Sequence, residues 1–252
     1  MQIFSVVGNN VKSRHYVSEF QDREALLFQQ TEKKMVRKVI TRSPHREVGT
    51  VNAEWLLSHP VHHESHLERR FIMTCLACPC IRDVEHQPET VELMGKKRSK
   101  YTPDFRVTLE DGEQKIVEVK PKKFVAKHQE KLTAAAQLFS NKGLTYYVVT
   151  DQEIDKNGLG LRATHLMSFA RLWIAPSQEE DCIQELTQTF GGSAQLKQLI
   201  SKGYPSYLVW NLVARHKLQI PAGINLTEAE TVSINQTKED ADDFFRTWFD
   251  LT

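Results

Sequence analysis

The sequence predicts an α/β protein, a mixed sheet flanked by helices, followed by a smaller helical module that ends in a β-hairpin. Three observations carry this expectation. Two strand-like runs, Tyr101 to Leu109 and Gln114 to Lys120, flank the turn-forming segment Glu110-Asp111-Gly112-Glu113. A helical stripe of Leu132, Ala135, Ala136 and Phe139 then leads through Gly143 to the apolar run Leu144 to Thr150. That is the succession of a sheet covered by helices. Beyond Pro176, three helical patterns broken by Gly191-Gly192 and Gly203 precede two short strand-like runs.

In chain order, residues 1 to 50 are basic and mixed, and Phe20, Leu26, Leu27 and Phe28 predict one short helix. Arg37, Lys38, Arg42 and Arg46 follow, and two readings stay open: a solvated arm, or a DNA-contacting arm that orders on binding. From His59 to about Cys78, the positions Val61, Leu67, Phe71 and Met73 fit a partly buried helix with Pro60 in its first turn. His62, His63 and His66 cluster there, either as a solvated polar face or close to a metal. Short strands are expected at Arg82 to His86 and Thr90 to Leu93, then a basic turn, Gly95-Lys96-Lys97-Arg98. The strand pair, a helix from about Ala126 to Phe139, the strand to Thr150, a polar loop from Asp151 to Gly160 and a helix from about Leu161 to Trp173 complete the first part.

Pro176 marks the expected boundary, giving a domain over 1–175, a second over 176–235 and a tail over 236–252. In the second, helices at Glu179 to Phe190, Ser193 to Ile200 and Tyr204 to Ala214 and a hairpin of Leu218 to Pro221 with Thr231 to Ile234 describe a winged-helix-like module. Such a module docks a helix into DNA or onto a protein. In the acidic, aromatic tail, Phe245, Trp248 and Phe249 share one helical face, which packs on its own domain or docks on a partner.

A chain of 252 residues holds one large domain or two modest ones, and no stretch has the uninterrupted apolar length of a membrane span. Met1-Gln2-Ile3-Phe4-Ser5 lacks a signal-peptide pattern, so the expected location is the cytoplasm. The net charge of +1 hides an uneven distribution. Residues 96–131 hold eleven Lys or Arg against six Asp or Glu, whereas the tail holds two against five. Local positive surface suits a phosphate backbone. Cys75-x-x-Cys78-x-Cys80 has zinc-like spacing that His66 or His86 would complete, but no second Cys-x-x-Cys exists and buried helix-end thiols explain the run better. A reducing compartment argues against disulfides.

The chemistry concentrates in Glu118-Val119-Lys120. Glu118 and Lys120 are two apart on a strand and share a face, and Asp104 lies fourteen residues earlier, on the preceding run. A hairpin would bring two carboxylates and an ammonium together. Carboxylate oxygens suit Mg²⁺, and a nearby lysine can orient water or offset charge at an attacked phosphate. The bland alternative is a solvated strand face. Against it stand the apolar neighbours Tyr101, Phe105, Ile116, Val117 and Val119, among which unpaired carboxylates are costly. Glu68, on a helix upstream, offers a third carboxylate.

Ser65-x-Leu67-Glu68, Gln87-Pro88, Thr102-Pro103-Asp104-Phe105 and Val117-Glu118-Val119-Lys120-Pro121 together resemble the PD-(D/E)xK nuclease core, and more narrowly TnsA, the endonuclease subunit of heteromeric bacterial transposases. Arg42-Ser43-Pro44-His45-Arg46 is similar to the TnsA N-terminus, and the likeness covers roughly 35–175. It implies a restriction-endonuclease-like sheet with a C-terminal winged-helix-like module. It further implies a Mg²⁺-dependent endonuclease, with Mn²⁺ as a substitute, that cuts the non-transferred strand at transposon ends. By the resemblance, Asp104, Glu118 and the Val119 carbonyl hold metal, Glu68 serves a second ion or its water, and Lys120 is the catalytic lysine. Some TnsA proteins carry glutamine where this chain has Glu118. Arg42, Arg46, Lys96, Lys97, Arg98, Lys122, Lys123 and Lys127 are the candidate DNA contacts. The implied partners are transposon-end DNA, a TnsB-like transposase and a TnsC-like AAA ATPase regulator. A stand-alone restriction or repair nuclease of the same core, or a non-catalytic DNA-binding adaptor, are the alternatives.

Overall fold

A computed structural model describes residues 48–93, 98–235 and 241–251, all within one compact unit. The helix expected near Phe20 and the candidate contacts Arg42, Arg46, Lys96 and Lys97 lie outside the described residues.

The first pair of strands, β1 (Gly49–Val51) and β2 (Val61–His63), is antiparallel with Val51 opposite Val61. The sequence pattern predicted helix here. Instead Val61 and His63 are buried while His62 is half-buried, an alternation of period two that only a strand produces. Helix α1 (His66–Ala77) begins where Ser65 caps it, its Oγ accepting the Glu68 N–H. From Phe71 onward α1 is buried on all sides, which makes it the central helix of the molecule.

Next come β3 (Ile81–His86), β4 (Val91–Leu93), β5 (Ser99–Tyr101), β6 (Phe105–Leu109), β7 (Gln114–Val119) and β8 (Thr145–Val149). The main sheet has the order β3-β6-β7-β8, antiparallel except for the parallel β7–β8 pair. This is the mixed sheet that the sequence predicts. The run Tyr101 to Leu109 is not one strand, however. Tyr101 ends β5, which pairs with β4 as a separate ribbon with Val91 opposite Tyr101, and the ladder resumes only at Phe105. Pro103 in the interval has no N–H to give a ladder, so the strand breaks there.

Between β7 and β8 run α2 (Lys122–Val125), a 3₁₀ turn (Ala126–His128) and α3 (Gln129–Asn141). The helical stretch therefore starts at Lys122, four residues before the expected start at about Ala126. The expected polar loop after β8 contains a short helix, α4 (Asp151–Ile154), because Thr150 and Glu153 form a reciprocal capping box. Helix α5 (Leu159–Phe169) follows and packs on α1.

Side chains alternate along β7 and separate two cores. Val117 and Val119 face the large core with α1, while Ile116 faces a smaller one with Val91, Leu93, Tyr101, Ala135 and Phe139.

Pro176 opens α6 (Pro176–Phe190), and β9 (Ser193–Gln195), α7 (Leu196–Ser201), α8 (Ser206–Ala214), β10 (Leu218–Gln219) and β11 (Thr231–Ile234) follow. Three helices and the β10–β11 pair fall as predicted. Residues 193–195 form a third strand rather than helix, giving the antiparallel order β10-β11-β9. In α8, every residue from Leu208 to Ala214 is buried. The Asn211 side chain donates to the carbonyls of Phe169 (2.8 Å) and Leu172 (3.0 Å), and Arg215 Nε to that of Ala170 (3.1 Å). These bonds tie the end of α8 to the end of α5, and the apolar core runs on unbroken past Pro176.

The last helix, α9 (Ala241–Phe249), buries Phe245, Trp248 and Phe249. Phe249 lies 5.5 Å from Phe71 between ring centroids, and Trp248 Nε1 donates to the Thr74 carbonyl. Of the two readings of the tail, packing on its own chain is the one observed, and its support is the central helix α1.

Candidate active site

Asp104 stands just before β6, where the β6–β7 ladder begins with Phe105 opposite Val117. Past that point β7 still has N–H groups to satisfy. The Asp104 carboxylate takes one of them, Oδ2 accepting the Val119 N–H at 2.8 Å. The backbone of Asp104 is itself held, its carbonyl accepting the Gln87 N–H at 2.8 Å, with Gln87 at φ +48° just after β3. An aspartate is thus fixed between three strands, with Oδ1 accepting no hydrogen bond among the described residues.

Glu118 and Lys120 project from the same face of β7, as their spacing requires. Lys120 Nζ lies 2.8 Å from Glu118 Oε1, and the Tyr101 hydroxyl donates to Glu118 Oε2 at 2.7 Å. The N–H of Lys120 continues the parallel ladder by donating to the Val149 carbonyl at 3.0 Å. Lys120 is held in place by its backbone as well as its side chain.

Glu68 lies in the first turn of α1. Its carboxylate folds back over the helix start, Oε2 accepting the Glu64 N–H at 2.7 Å and Oε1 the Ser65 hydroxyl at 2.9 Å. His86 Nε2 is 3.7 Å from Oε2. Burial pushes the Glu68 carboxyl up, but His86, the Glu64 N–H and the Ser65 hydroxyl outweigh it, and the net shift is downward. Asp104 goes the other way. Burial and the negative charges of Glu118 and Glu68 drive its carboxyl well above the ordinary range, against the opposing pull of the Val119 N–H and Lys120. Glu68 bears on Asp104 through its charge, while its own hydrogen bonds go to the start of α1.

Among the described residues, no group of three or more His, Cys, Asp and Glu side chains forms a ready-made cage. Mg²⁺ does not need one, since it takes one or two carboxylates and completes its shell with water and phosphate oxygens. The oxygen donors of Asp104 and Glu118 fit such an ion. The mutual repulsion that raises Asp104 is also what a divalent charge relieves.

The candidate DNA contacts divide. Arg98, Lys122, Lys123 and Lys127 are exposed, the last three on the helical segment that leaves β7 directly after Lys120. The N–H of Lys122 donates to Asp151 Oδ1 at 2.6 Å, which fixes the start of that segment. Of the clustered histidines, His66 is exposed, His63 is buried, and His62 has its ring pushed toward the neutral form by burial and by His86 and His59. The four cysteines are buried free thiols, with Cys78 and Cys80 Sγ atoms 3.1 Å apart in the core.

Tyr101, Tyr146 and His86 join this site without having been among its candidates. Ser65-x-x-Glu68 was a readable capping signal. The tyrosines gave none, because their contacts join segments far apart in sequence.

Residues 78–151 match the family model described as TnsA-like endonuclease N terminal. The chain carries a TnsA-like endonuclease domain. Over that span the chain is similar to an endonuclease of the transposase type. The matched span contains Asp104, Glu118 and Lys120, and Glu68 precedes it. No curated protein matches the chain. No helix among the described residues is long and apolar enough to cross a membrane.

Proposed function

We propose that this chain is the DNA-cutting subunit of a transposase, hydrolysing the non-transferred strand at transposon ends with Asp104, Glu118, Lys120 and Glu68 at its centre. The observation that carries the reading is Lys120 Nζ held 2.8 Å from Glu118 Oε1, beside a carboxylate fixed on the Val119 N–H. Mg²⁺, or Mn²⁺ in its place, would be held by Asp104, Glu118 and the Val119 carbonyl, with Glu68 serving a second ion or its water. When bound it supplies Lewis-acid stabilisation of charge on the phosphate and lowers the pKa of bound water.

The residues of the chain do the rest. Lys120 presents its ammonium at the end of β7, where it orients the attacking water and offsets charge on the attacked phosphate. Glu118 keeps the ammonium there. Attack forms a bond from the water oxygen to phosphorus and breaks the bond to the 3′ oxygen, which takes a proton, leaving a 3′-hydroxyl and a 5′-phosphate. Lys122, Lys123 and Lys127, exposed beside the site, would position the backbone of the strand, with Arg98, Arg42, Arg46, Lys96 and Lys97 extending that contact.

We take the division of labour from the sequence, although one apolar core runs through both parts. Residues 1–175 form the nuclease, 176–235 the winged-helix-like module and 236–252 the tail. Because Leu208 to Ala214 are buried, α8 has no free face to lay in a major groove. That burial favours protein docking over base reading for the module, with a TnsB-like transposase and a TnsC-like AAA ATPase as the proposed partners. In the assembled transposase on transposon-end DNA, Asp104→Ala and Lys120→Ala should each abolish cutting of the non-transferred strand while the other strand is still cut. Cutting that survives either substitution refutes the assignment.

A further inference from the structure

We propose that Tyr101 is a positioning residue of this site: its hydroxyl fixes the Glu118 carboxylate so that Glu118 can hold Lys120. The inference rests on reading the site as a nuclease centre and adds to it a residue from outside the main sheet.

Tyr101 ends β5, in the ribbon that lies apart from the four-stranded sheet. It is 3 % exposed, and its hydroxyl donates to Glu118 Oε2 at 2.7 Å while Lys120 Nζ sits 2.8 Å from Oε1. One carboxylate is gripped from two sides, by a neutral hydroxyl and by an ammonium. The direction of the bond is set by chemistry, because an ionised carboxylate only accepts. With its proton committed to Glu118, the Tyr101 oxygen becomes the acceptor for Tyr146 on β8, 2.8 Å away. The result is a chain of donors from Tyr146 to Tyr101 to Glu118, met from the other side by Lys120.

The ring that carries this hydroxyl is immobilised. Val91, Ile116 and Phe139 belong to the same small core, and Lys131 of α3 lies 5.0 Å from the ring centroid. A glutamate side chain has three torsions, so a carboxylate held at one oxygen alone would swing and carry the lysine with it. Apolar packing would be served equally by phenylalanine at position 101. Only the hydroxyl bears on Glu118.

The test uses the full chain with Tyr101→Phe and Tyr146→Phe. Reductive methylation read by mass spectrometry gives the labelling rate of Lys120, with exposed Lys122 and Lys123 as internal references. Tyr101→Phe should raise Lys120 labelling about ten-fold, the lower end of what one hydrogen bond to a charged group supports, and Tyr146→Phe should raise it less. In Mg²⁺-dependent nicking, kcat should fall by a similar factor and half-saturating Mg²⁺ should rise, because Glu118 is also a proposed ligand, while KM for DNA stays within about two-fold. Unchanged Lys120 labelling and unchanged kcat at an unchanged melting temperature overturn the proposal. So does a defect confined to the Mg²⁺ half-saturation, which would put Tyr101 on cation ligation instead. Should Tyr101→Phe fail to fold, Tyr146→Phe decides: faster Lys120 labelling supports the chain of donors, and unchanged labelling refutes it. A native chain that does not nick DNA counts against the nuclease reading, and the labelling rates then judge the role of Tyr101 separately.

Discussion

Strand β7 and the turn before it carry the same tripeptide pattern twice, Glu113-Gln114-Lys115 and Glu118-Val119-Lys120. In both, lysine pairs with the glutamate two residues earlier, at 2.6 Å for Lys115 and 2.8 Å for Lys120. The surroundings separate them. Lys115 points into the large core, is 1 % exposed, and has a second carboxylate, Asp242 of α9, at 2.5 Å. Burial works against its charge, yet Asp242 and Glu113 more than compensate, and its pKa rises. Lys120 points to the opposite face, where Tyr101 shares its glutamate and the buried Asp104 carboxylate lies within reach of both charges. The first lysine closes a structural ion pair between strand and tail. The second shares its glutamate with the Tyr101 hydroxyl, beside the buried Asp104 carboxylate. A motif of this kind acquires chemistry from its third and fourth neighbours, not from its own spacing.

The sharpest way to break the contrast is to remove the cation. Chelation with EDTA should lower DNA cutting by at least about 1,000-fold, the several kcal/mol of charge stabilisation that a metal supplies, and Mg²⁺ or Mn²⁺ should restore it. Cutting that persists in chelator would make the Asp104 face as structural as the Lys115 face. On the structural side, Trp248→Ala should destabilise the chain by about 3–5 kcal/mol in urea denaturation, because it empties the contact of α9 with α1. A loss below about 0.5 kcal/mol, in the range of surface substitutions, would mean that the tail is not part of the fold. The smallest effect distinguishes the carboxylates. Asp104 has its folded pKa raised, so its ionised form costs stability above the ordinary carboxylate range, and the cost fades as pH falls through that range. In metal-free buffer at pH 7, Asp104→Asn should therefore raise the melting temperature by about 2 °C, with the gain vanishing in acid and with cutting lost. A lower melting temperature would show the Asp104 carboxylate to be a net structural asset.

Much of the site was legible because its signals are local. The turn at Asp111-Gly112, the alternation through Ile116 to Lys120 and the stripe from Leu132 to Phe139 each declare themselves within one element. The misreadings came where one local signal masked another. Val61-His62-His63 was absorbed into a helix although Ser65-x-x-Glu68 marks the true start, and Thr150-x-x-Glu153 did the same for α4. What stayed hidden was non-local. No pattern in the sequence joins Tyr101 to Glu118 and Tyr146, Lys115 to Asp242, or the aromatic face of α9 to Phe71. Those pairings exist only once the sheet order and the return of the chain past residue 235 are known.

The two lysines offer the most direct measurement. Full-length Lys115→Ala and Lys120→Ala should be assayed side by side for Mg²⁺-dependent cutting of transposon-end DNA, with rates normalised to the folded fraction and unfolding measured in parallel. Lys115→Ala should lose about 2 kcal/mol of stability, less than a fully buried pair because Asp242 and Glu113 are partly solvated, and cut within about two-fold of the native rate. Lys120→Ala should fold as the native chain does and cut at least about 100-fold more slowly. Equal cutting rates for the two variants, or a Lys120→Ala chain that cuts normally, would contradict the assignment of the Glu118–Lys120 face as the reactive one.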